Sequence, residues 1–429
     1  MNELIVIAGL FFTISIGYCI LFLFNLLKSH SFLEKMPFAY GLGVGILSWQ
    51  LFTYSQFHIP WSFLSLFLPW IGIGLYCLVR KPLSLRPLHV DISLSFIDYF
   101  LLVCISLTVV YVGFEVWLRP LYAWDGWAIW LIKSKLFFID GFVNPYIYAL
   151  LQDSYPYVIN LFGTFLYLLM GSSDDRAVLG FFYVFYLMLG LSFYTFLKRN
   201  GKTRTKALFF TFLFLSLQNL IRHGGRFEAG YADLPLGFYI FSSFSLFMQY
   251  VKDKKITTLI LLTIFMAITR LVKEEGLVFC IILQVFMIYF TAFRFKKFSH
   301  IALSFLWLLP IFQWELFKYT SNITFTLYTK HIVYPQRFLS VFFYIVKETI
   351  NIQNWNFLWV AFFLSIPFIF LKKKLILVIP CLLLFFQISS YILVFSLSPY
   401  IPSVHVPNVI DRLFLHIAPL AMVVVAVAF

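Results

Sequence analysis

The stretch LYAWDGWAIWLIKSKLFFIDG, residues 121–141, decides how the rest of the chain is interpreted. It holds one acid, Asp125, between Trp124 and Trp127, directly after an apolar segment long enough to cross a bilayer. Tryptophans are enriched at membrane–water interfaces, and a carboxylate held at the edge of a membrane is costly unless it is used. The pattern predicts that Asp125 is a reactive carboxylate at a membrane surface. The simpler interpretation is an N-cap of the helix that follows.

The composition is typical of a polytopic membrane protein. Of the 429 residues, 62% are hydrophobic and 12% are charged, about half the charged fraction of a soluble domain. The net charge of +14 does not indicate nucleic acid, because the basic residues are scattered in short loops between apolar runs and are better explained as topology signals. We therefore predict an all-α, polytopic transmembrane bundle whose partners include membrane lipid and no nucleic acid.

Thirteen apolar runs are candidates to cross a bilayer, which needs roughly 17–25 mostly apolar residues. The predicted spans are 3–27, 38–57, 60–79, 97–117, 177–197, 207–222, 231–250, 256–272, 276–293, 299–317, 356–371, 375–397 and 413–429. One more apolar run, 155–171, either crosses the bilayer or lies at its surface.

The basic residues decide between these two topologies. They form six clusters: Lys28/Lys35, Arg80/Lys81/Arg86, Lys198/Arg199/Lys202/Arg204/Lys206, Lys252/Lys254/Lys255, Arg294/Lys296/Lys297 and Lys372/Lys373/Lys374. Cytoplasmic loops carry the excess of Lys and Arg, and all six clusters fall on that side only if 155–171 does not cross. We therefore predict an interfacial helix at 155–171, an N-terminus outside and a C-terminus inside. The expected location is the inner (plasma) membrane, with the active face outward.

This topology gathers the acids on the outer face, where the loop 118–176 and several shorter loops lie. Candidate residues for binding substrate or metal are Asp233, Glu228, Glu274, Glu275 and His223; candidates for binding a lipid phosphate are Arg412, Lys273 and Arg222; aromatic candidates for the interface or a sugar face are Trp124, Trp127 and Tyr231. The simpler explanation of these residues is that they lie in solvated loops or cap helices; Asp411, for example, is a candidate N-cap of the last span. Adjacent acids cannot both face one site, and we favour Glu275 over Glu274.

The residue types favour one chemistry over several others. The chain has no HExxH, GxSxG, P-loop or Cys/His zinc spacing, which argues against zinc proteolysis, serine hydrolysis and ATP-driven transport. A carboxylate base can deprotonate an acceptor hydroxyl, and an arginine or a divalent metal ion can stabilise a leaving phosphate. Sugar transfer from a lipid-phosphate donor needs these groups and no nucleotide site. The sequence leaves open whether a metal ion takes part.

The order of these motifs resembles the GT-C-fold glycosyltransferases, which include the protein O-mannosyltransferases and the lipid A aminoarabinose transferase. The resemblance lies in the outer-loop Trp-Asp, an amphipathic helix, a Tyr-Pro segment ending at Gly171, and a span led by Arg176. It covers 97–429 of a single transmembrane domain, 1–429, in which 1–96 supplies extra N-terminal spans and 118–176 is the catalytic outer loop.

This resemblance implies a polyprenyl-phosphate sugar donor and a direct, inverting displacement. Asp125 matches the position of the general base, and Arg412 lies where such proteins often contact the lipid phosphate. The runs 231–235 and 273–276 look like recurring motifs of bacterial members of the group. Two features depart from the usual pattern: three spans precede the one that leads into the catalytic loop, and that loop's Trp-Asp motif has one acid where many members have a pair.

Two other functions stay open from the sequence. A transporter or flippase of a lipid-linked sugar is expected to place charges in mid-span and to break helices at corresponding positions of two halves, whereas the acids here lie at span ends. A surface-polysaccharide polymerase or ligase uses similar chemistry and differs in product length. The acceptor of the transferred sugar is a glycan, a lipid or a protein, and the sequence does not decide among them.

Overall fold

The structure, a computed structural model, describes residues 1–28, 30–80, 94–151, 155–323, 335–372, 374–398 and 400–429. Three residues of the predicted basic clusters, Lys81, Arg86 and Lys373, lie outside the described residues. All regular structure in these ranges is helical. The predicted all-α class is therefore confirmed for the described part of the chain.

The chain begins with four long helices: α1 Asn2–Leu23, α2 Phe32–Gln56, α3 Phe63–Arg80 and α4 Phe96–Leu118. A group of shorter helices follows: a π-helical turn Gly126–Trp130 that continues into α5 Leu131–Asp140, then α6 Pro145–Leu150, α7 Val158–Met170 and α8 Asp175–Val178. The middle of the chain forms α9 Gly180–Arg199, α10 Arg204–Leu215, α11 Gln218–Gly225, α12 Asp233–Asp253, α13 Ile256–Val272 and α14 Glu275–Tyr289, which ends in a π-helical turn, Phe290–Arg294.

The last third forms α15 Phe298–Ser304, α16 Leu308–Thr320, α17 Pro335–Thr349, α18 Ile352–Trp355, α19 Leu358–Lys372, α20 Leu375–Leu397, α21 Pro402–His405, a 3₁₀ turn Val406–Asn408 and α22 Ile410–Ala428. Within the described residues, nine helical segments are long and apolar enough to cross a membrane: Asn2–Leu23, Phe63–Arg80, Phe96–Leu118, Asp175–Arg199, Asp233–Asp253, Glu275–Arg294, Phe298–Thr320, Leu375–Leu397 and Ile410–Ala428. Their number makes this a multi-pass integral membrane protein.

Three of the predicted basic clusters, those at 198–206, 252–255 and 294–297, lie together at one end of the bundle with the start of α2. Arg199 lies 3.4 Å from Glu34 of α2, Lys252 donates to Asn200 at 2.5 Å, and Lys297 donates to the Lys254 carbonyl oxygen at 2.9 Å. We call this the basic end. The helical segment Asp175–Arg199 spans about 37 Å at 1.5 Å per residue, so Ser173 lies at the opposite end of the bundle. We call this the acidic end, because Asp233 and Glu275 lie there, at the first residues of α12 and α14.

Helix α7 starts and finishes on the acidic side. Tyr157, at its start, stacks on Phe52 near the end of α2, with ring centroids 4.2 Å apart. Beyond its C-terminus, Ser172 accepts a hydrogen bond from Asn2, the first residue of α1. Both ends of α7 therefore contact the same end of the bundle, and its predicted place at the membrane surface stays a prediction. It packs against α1, α2 and α5 and is buried along most of its length, and hydrogen bonds between Ser134 of α5 and its residues Asn160 and Thr164 hold it there.

Helices α1 and α2 pack closely against each other, and two glycines allow it. A Cβ placed on Gly17 would lie 1.8 Å from the Ala39 carbonyl oxygen, and one on Gly43 would lie 2.0 Å from the Thr13 carbonyl oxygen. Small residues at such contacts let helix backbones approach closely, which is how helices associate in lipid. These glycines therefore hold the first two helices together.

We predict that Gly17→Ala and Gly43→Ala each lower the stability of the protein by at least about 1–3 kcal/mol, because the added methyl group meets backbone atoms that cannot move alone. The matched controls are Gly72→Ala and Gly74→Ala in α3, where an added Cβ has nothing within 4 Å. The measurement is the apparent melting temperature in detergent. Equal melting temperatures for both pairs would contradict the proposed close contact.

Candidate active site

Asp233, the first residue of α12, is the centre of a charged cluster at the acidic end. Its side chain is fully buried. Its Oδ1 accepts hydrogen bonds from Lys273 Nζ at 2.7 Å and from His416 Nε2 at 2.8 Å. Its Oδ2 accepts from Arg412 Nε at 3.0 Å, with Arg412 Nη2 at 2.9 Å. A buried charge needs such pairing, because an isolated carboxylate in an apolar interior is very costly.

Helix ends bring these side chains together. Asp233 opens α12, Lys273 lies between α13 and α14, and Arg412 and His416 lie one turn apart at the start of α22. The N-terminus of a helix also favours a carboxylate, because its unpaired N–H groups carry partial positive charge. Gly237 lets α12 approach α22, since a Cβ there would lie 3.3 Å from the Leu415 carbonyl oxygen.

Asp125 joins the cluster through Arg412. Arg412 Nη2 donates to Asp125 Oδ2, while the same guanidinium holds Asp233. Asp125 is 7% exposed, and in the described structure its carboxylate makes no other hydrogen bond. It does not cap a helix: the helical turn already includes Trp124, and Asp125 has helical backbone angles. The N-cap interpretation is therefore wrong, because the chain becomes helical one residue earlier.

Close packing of two loops places Asp125 there. A Cβ on Gly126 would lie 3.4 Å from the Cα of Gly230, and one on Gly230 would lie 3.2 Å from the Cα of Gly126. Gly230 has φ of +113°, which favours glycine. Tyr231 follows it, and its ring centre lies 4.4 Å from the Arg412 guanidinium carbon. The predicted residue Tyr231 therefore contacts the cluster through a cation–π interaction.

The two adjacent acids Glu274 and Glu275 face different partners. Glu275 lies 3.1 Å from Lys273 Nζ, whereas Glu274 lies 3.5 Å from Arg270 Nη2. Burial alone would lower the pKa of Lys273, but the carboxylates of Asp233 and Glu275 raise it above its ordinary value. Lys273 therefore carries a positive charge, and Glu275 is the acid that faces the cluster. We use the name Asp233 cluster for Asp125, Asp233, Lys273, Glu275, Arg412 and His416.

A second cluster adjoins the first and contains three further predicted residues. Arg222 pairs with Glu228, lies 3.5 Å from Asp411 and donates to Asn354 Oδ1 at 3.1 Å. His223 is fully buried, with Nδ1 3.1 Å from Glu228 Oε2. Because Asp411 directly precedes Arg412 in the chain, the two clusters adjoin at the start of α22. Asp411 lies inside the first turn of α22, which starts at Ile410, so it is not the N-cap.

In the part of the chain that the structure describes, no hydrogen bond or cation–π contact joins the two tryptophans beside Asp125 to the charged groups of the cluster. Trp124 is 56% exposed and Trp127 is 50% exposed, and their rings meet edge to face at 6.1 Å. This exposure is typical of aromatic residues that anchor a loop at a membrane surface. Their predicted contact with a sugar stays a prediction.

The residues present do not fit a divalent metal ion. In the described part of the chain, no three His, Cys, Asp or Glu side chains are grouped so that they could hold one. Both oxygens of Asp233 already accept hydrogen bonds from cationic or imidazole groups. Protein cations therefore occupy the positions that a metal ion would need.

Several site residues carried weak signals in the sequence. His416 lies four residues after Arg412, on the same helix face, and that spacing was its only signal. Glu348 is 7% exposed and accepts from Asn354 Nδ2 at 2.9 Å and from Trp355 Nε1 at 2.6 Å. It therefore fixes Asn354 against Arg222. Nothing in the local sequence distinguishes Glu348 from a solvated loop acid.

Comparisons with protein-family models, with curated proteins and with solved structures found no match to this chain.

We predict that Asp233→Asn destabilises the protein by roughly 3–5 kcal/mol, because it leaves Lys273 and Arg412 without their shared buried counter-charge. Asp125→Asn should cost clearly less, since Asp125 has one partner and keeps some exposure. Asp140→Asn, an exposed acid near the end of α5, is the control. The measurement is the apparent melting temperature in detergent. A larger loss for Asp125→Asn than for Asp233→Asn would contradict the central role of Asp233.

We also predict a pH response from Glu274. Burial raises its pKa from 4.5 to about 7, although Arg270 acts in the opposite direction. The folded state therefore holds this proton more tightly than the unfolded state. Its contribution to stability is complete below pH 4.5 and is lost as the pH rises through about 7. Glu274→Gln should reduce the fall in melting temperature between pH 5 and pH 8.

The control for this prediction is Asp140→Asn, which removes an exposed carboxylate at the same end of the bundle and should keep the wild-type fall. A full wild-type fall in Glu274→Gln would show that another group causes the pH response.

Proposed function

We propose that the protein is a membrane glycosyltransferase that moves a sugar from a polyprenyl-phosphate donor to an acceptor hydroxyl at the acidic end. The observation that carries the proposal is the contact between Asp125 and Arg412 beside a fully buried Asp233. These three residues come from distant parts of the chain and meet at helix ends. Buried ionisable groups at a membrane surface are costly, so they mark a site of function.

The topology that goes with this proposal has thirteen crossings, the acidic end outside and the basic end in the cytoplasm. Two observations support it. Basic clusters are grouped at one end of the bundle, and both ends of α7 contact the other end. Besides the nine long helical segments, shorter apolar helices such as Ile256–Val272 and Leu358–Phe368 supply further crossings. Lipid-linked sugar donors would then approach from the outer leaflet.

The proposed reaction is one displacement at the anomeric carbon of the donor sugar. Asp125 takes the proton of the acceptor hydroxyl while that oxygen forms the new bond to the anomeric carbon. The bond between this carbon and the phosphate oxygen breaks, and the phosphate leaves with the bonding electron pair. Arg412 and Lys273 neutralise the charge that develops on the phosphate. The configuration at the anomeric carbon is inverted.

The buried carboxylate of Asp233 has a positioning role in this mechanism. It holds Arg412 through Nε and Nη2 and holds Lys273 through Nζ, so both cations keep fixed positions before the substrate binds. Preorganised charges stabilise a developing anion without reorganisation during the reaction. Tyr231, against the face of Arg412, limits the movement of the guanidinium from the other side.

The test is turnover in proteoliposomes supplied with a panel of polyprenyl-phosphate sugars and a membrane extract as the source of acceptors. Release of free polyprenyl phosphate, detected by mass spectrometry, reports transfer whichever sugar is used. We predict that Asp125→Asn lowers this release at least about 100-fold, because the general base is lost. Asp140→Asn, with the same change in charge, should turn over at the wild-type rate.

Undiminished release by a folded Asp125→Asn protein would overturn the assignment of the base. Movement of intact lipid-linked sugar across the bilayer without release of polyprenyl phosphate would favour a transporter or flippase instead.

A further inference from the structure

The two carboxylates that share Arg412 are held very differently. Asp233 is fully buried and accepts from Lys273, His416 and Arg412. Asp125 keeps 10% of its side chain exposed and, within the described residues, its carboxylate accepts a hydrogen bond from Arg412 alone. An anion that competes for Arg412 would therefore free Asp125 and leave Asp233 paired.

The guanidinium of Arg412 has one edge available for such an anion. Its Nε and Nη2 are engaged with Asp233 and Asp125, whereas Nη1 makes no hydrogen bond to any residue that the structure describes. The side chain is 13% exposed, and Nη1 is not among the solvent-inaccessible polar atoms that lack a partner, so this edge is not sealed. A phosphate binds a guanidinium through two parallel N–H···O bonds, and the Nη1–Nη2 edge offers that geometry. Nη2 is also the nitrogen that holds Asp125.

We propose that Asp125 and a lipid phosphomonoester compete for the same place on Arg412, and that binding of the phosphomonoester releases Asp125 in exchange. The proposal rests on the proposed function for the identity of the lipid. Asp233 keeps Arg412 in position during the exchange through Nε, and Lys273 stays fixed by Asp233 and Glu275. Only the Asp125 side chain has to move.

The exchange couples donor binding to activation of the base. While Arg412 Nη2 donates to Asp125 Oδ2, that carboxylate oxygen is engaged. Once phosphate takes the place of Asp125 on Arg412, the freed carboxylate can accept a hydrogen bond from the acceptor hydroxyl, which is the geometry that a general base needs. Asp125 would therefore accept a proton from an acceptor hydroxyl only after the donor is in place.

The experiment measures binding in detergent of a short polyprenyl monophosphate that carries no sugar. We expect Asp125→Asn to bind it more tightly than the wild type, on the order of tenfold, because the competing anion has been removed. Asp140→Asn should bind with wild-type affinity, which controls for the loss of one negative charge at this end. Arg412→Ala should lose most of the binding. If Asp125 only held Arg412 in place, Asp125→Asn would bind more weakly, and that result would overturn the proposal.

Two further arms complete the design. The corresponding polyprenyl alcohol and inorganic phosphate, tested alone, separate recognition of the chain from recognition of the phosphate; the proposal requires that Asp125→Asn improves the binding of phosphate-bearing probes and leaves the alcohol unchanged. Asp125→Ser serves as a second neutral variant. If neither variant folds, the proposal fails, since a carboxylate that is displaced in every cycle cannot be required for folding.

Failure of the exchange and failure of the proposed function give different results. Tighter binding by Asp125→Asn without any sugar transfer by the wild type would support the exchange and contradict the transferase. Transfer by the wild type without tighter binding by the variant would do the reverse.

Discussion

The arrangement at the acidic end depends on the neutralisation of one fully buried carboxylate. Asp233 has no access to solvent, so its charge is tolerated only because Lys273, Arg412 and His416 surround it. Lys273 lies in the tight turn between α13 and α14, whereas Arg412 and His416 lie one turn apart at the start of α22. The positions of α12, α13, α14 and α22 at this end are therefore tied to a single set of charge contacts.

The remaining charged groups at this end extend that arrangement outward. Arg412 contacts Asp125, and the neighbouring Asp411 contacts Arg222. Arg222 in turn donates to Asn354, which is hydrogen-bonded to Glu348. Asp233 has no exposed surface, whereas the side chains of Asp125 and Arg412 are 10% and 13% exposed. The groups proposed to meet substrate are therefore more accessible than the carboxylate that holds them.

The sequence predicted the all-α class and the multi-pass character, because composition and the length of apolar runs decide both. Lysine and arginine in loops predicted which end several helices share, and the contacts of Arg199, Lys252 and Lys297 agree with it. Pairings between distant residues could not be predicted, since no local pattern relates Asp233 to Arg412, which lie 179 residues apart. The choice between Glu274 and Glu275 was open for a related reason: adjacent residues share their local pattern, and only the packing of α13 against α14 separates them. The helix start before Asp125 was missed because the π-helical turn has no recognised sequence signal.

That π-helical turn, Gly126–Trp130, sets the direction of Asp125 relative to the face of α5 that packs against α7. Helix α5 follows the turn and contacts α7, with Ser134 Oγ donating to the Asn160 carbonyl oxygen at 2.7 Å. Asp125 directly precedes the turn. A π turn holds one residue more than an α turn, and each residue in an α-helix turns the chain by about 100°. Removing a single residue here would restore a regular helix and swing Asp125 a quarter-circle or more away from the guanidinium, with the rest of the bundle unaltered. The length of this short segment, down to one residue, is therefore as constrained as the identity of the acid it carries.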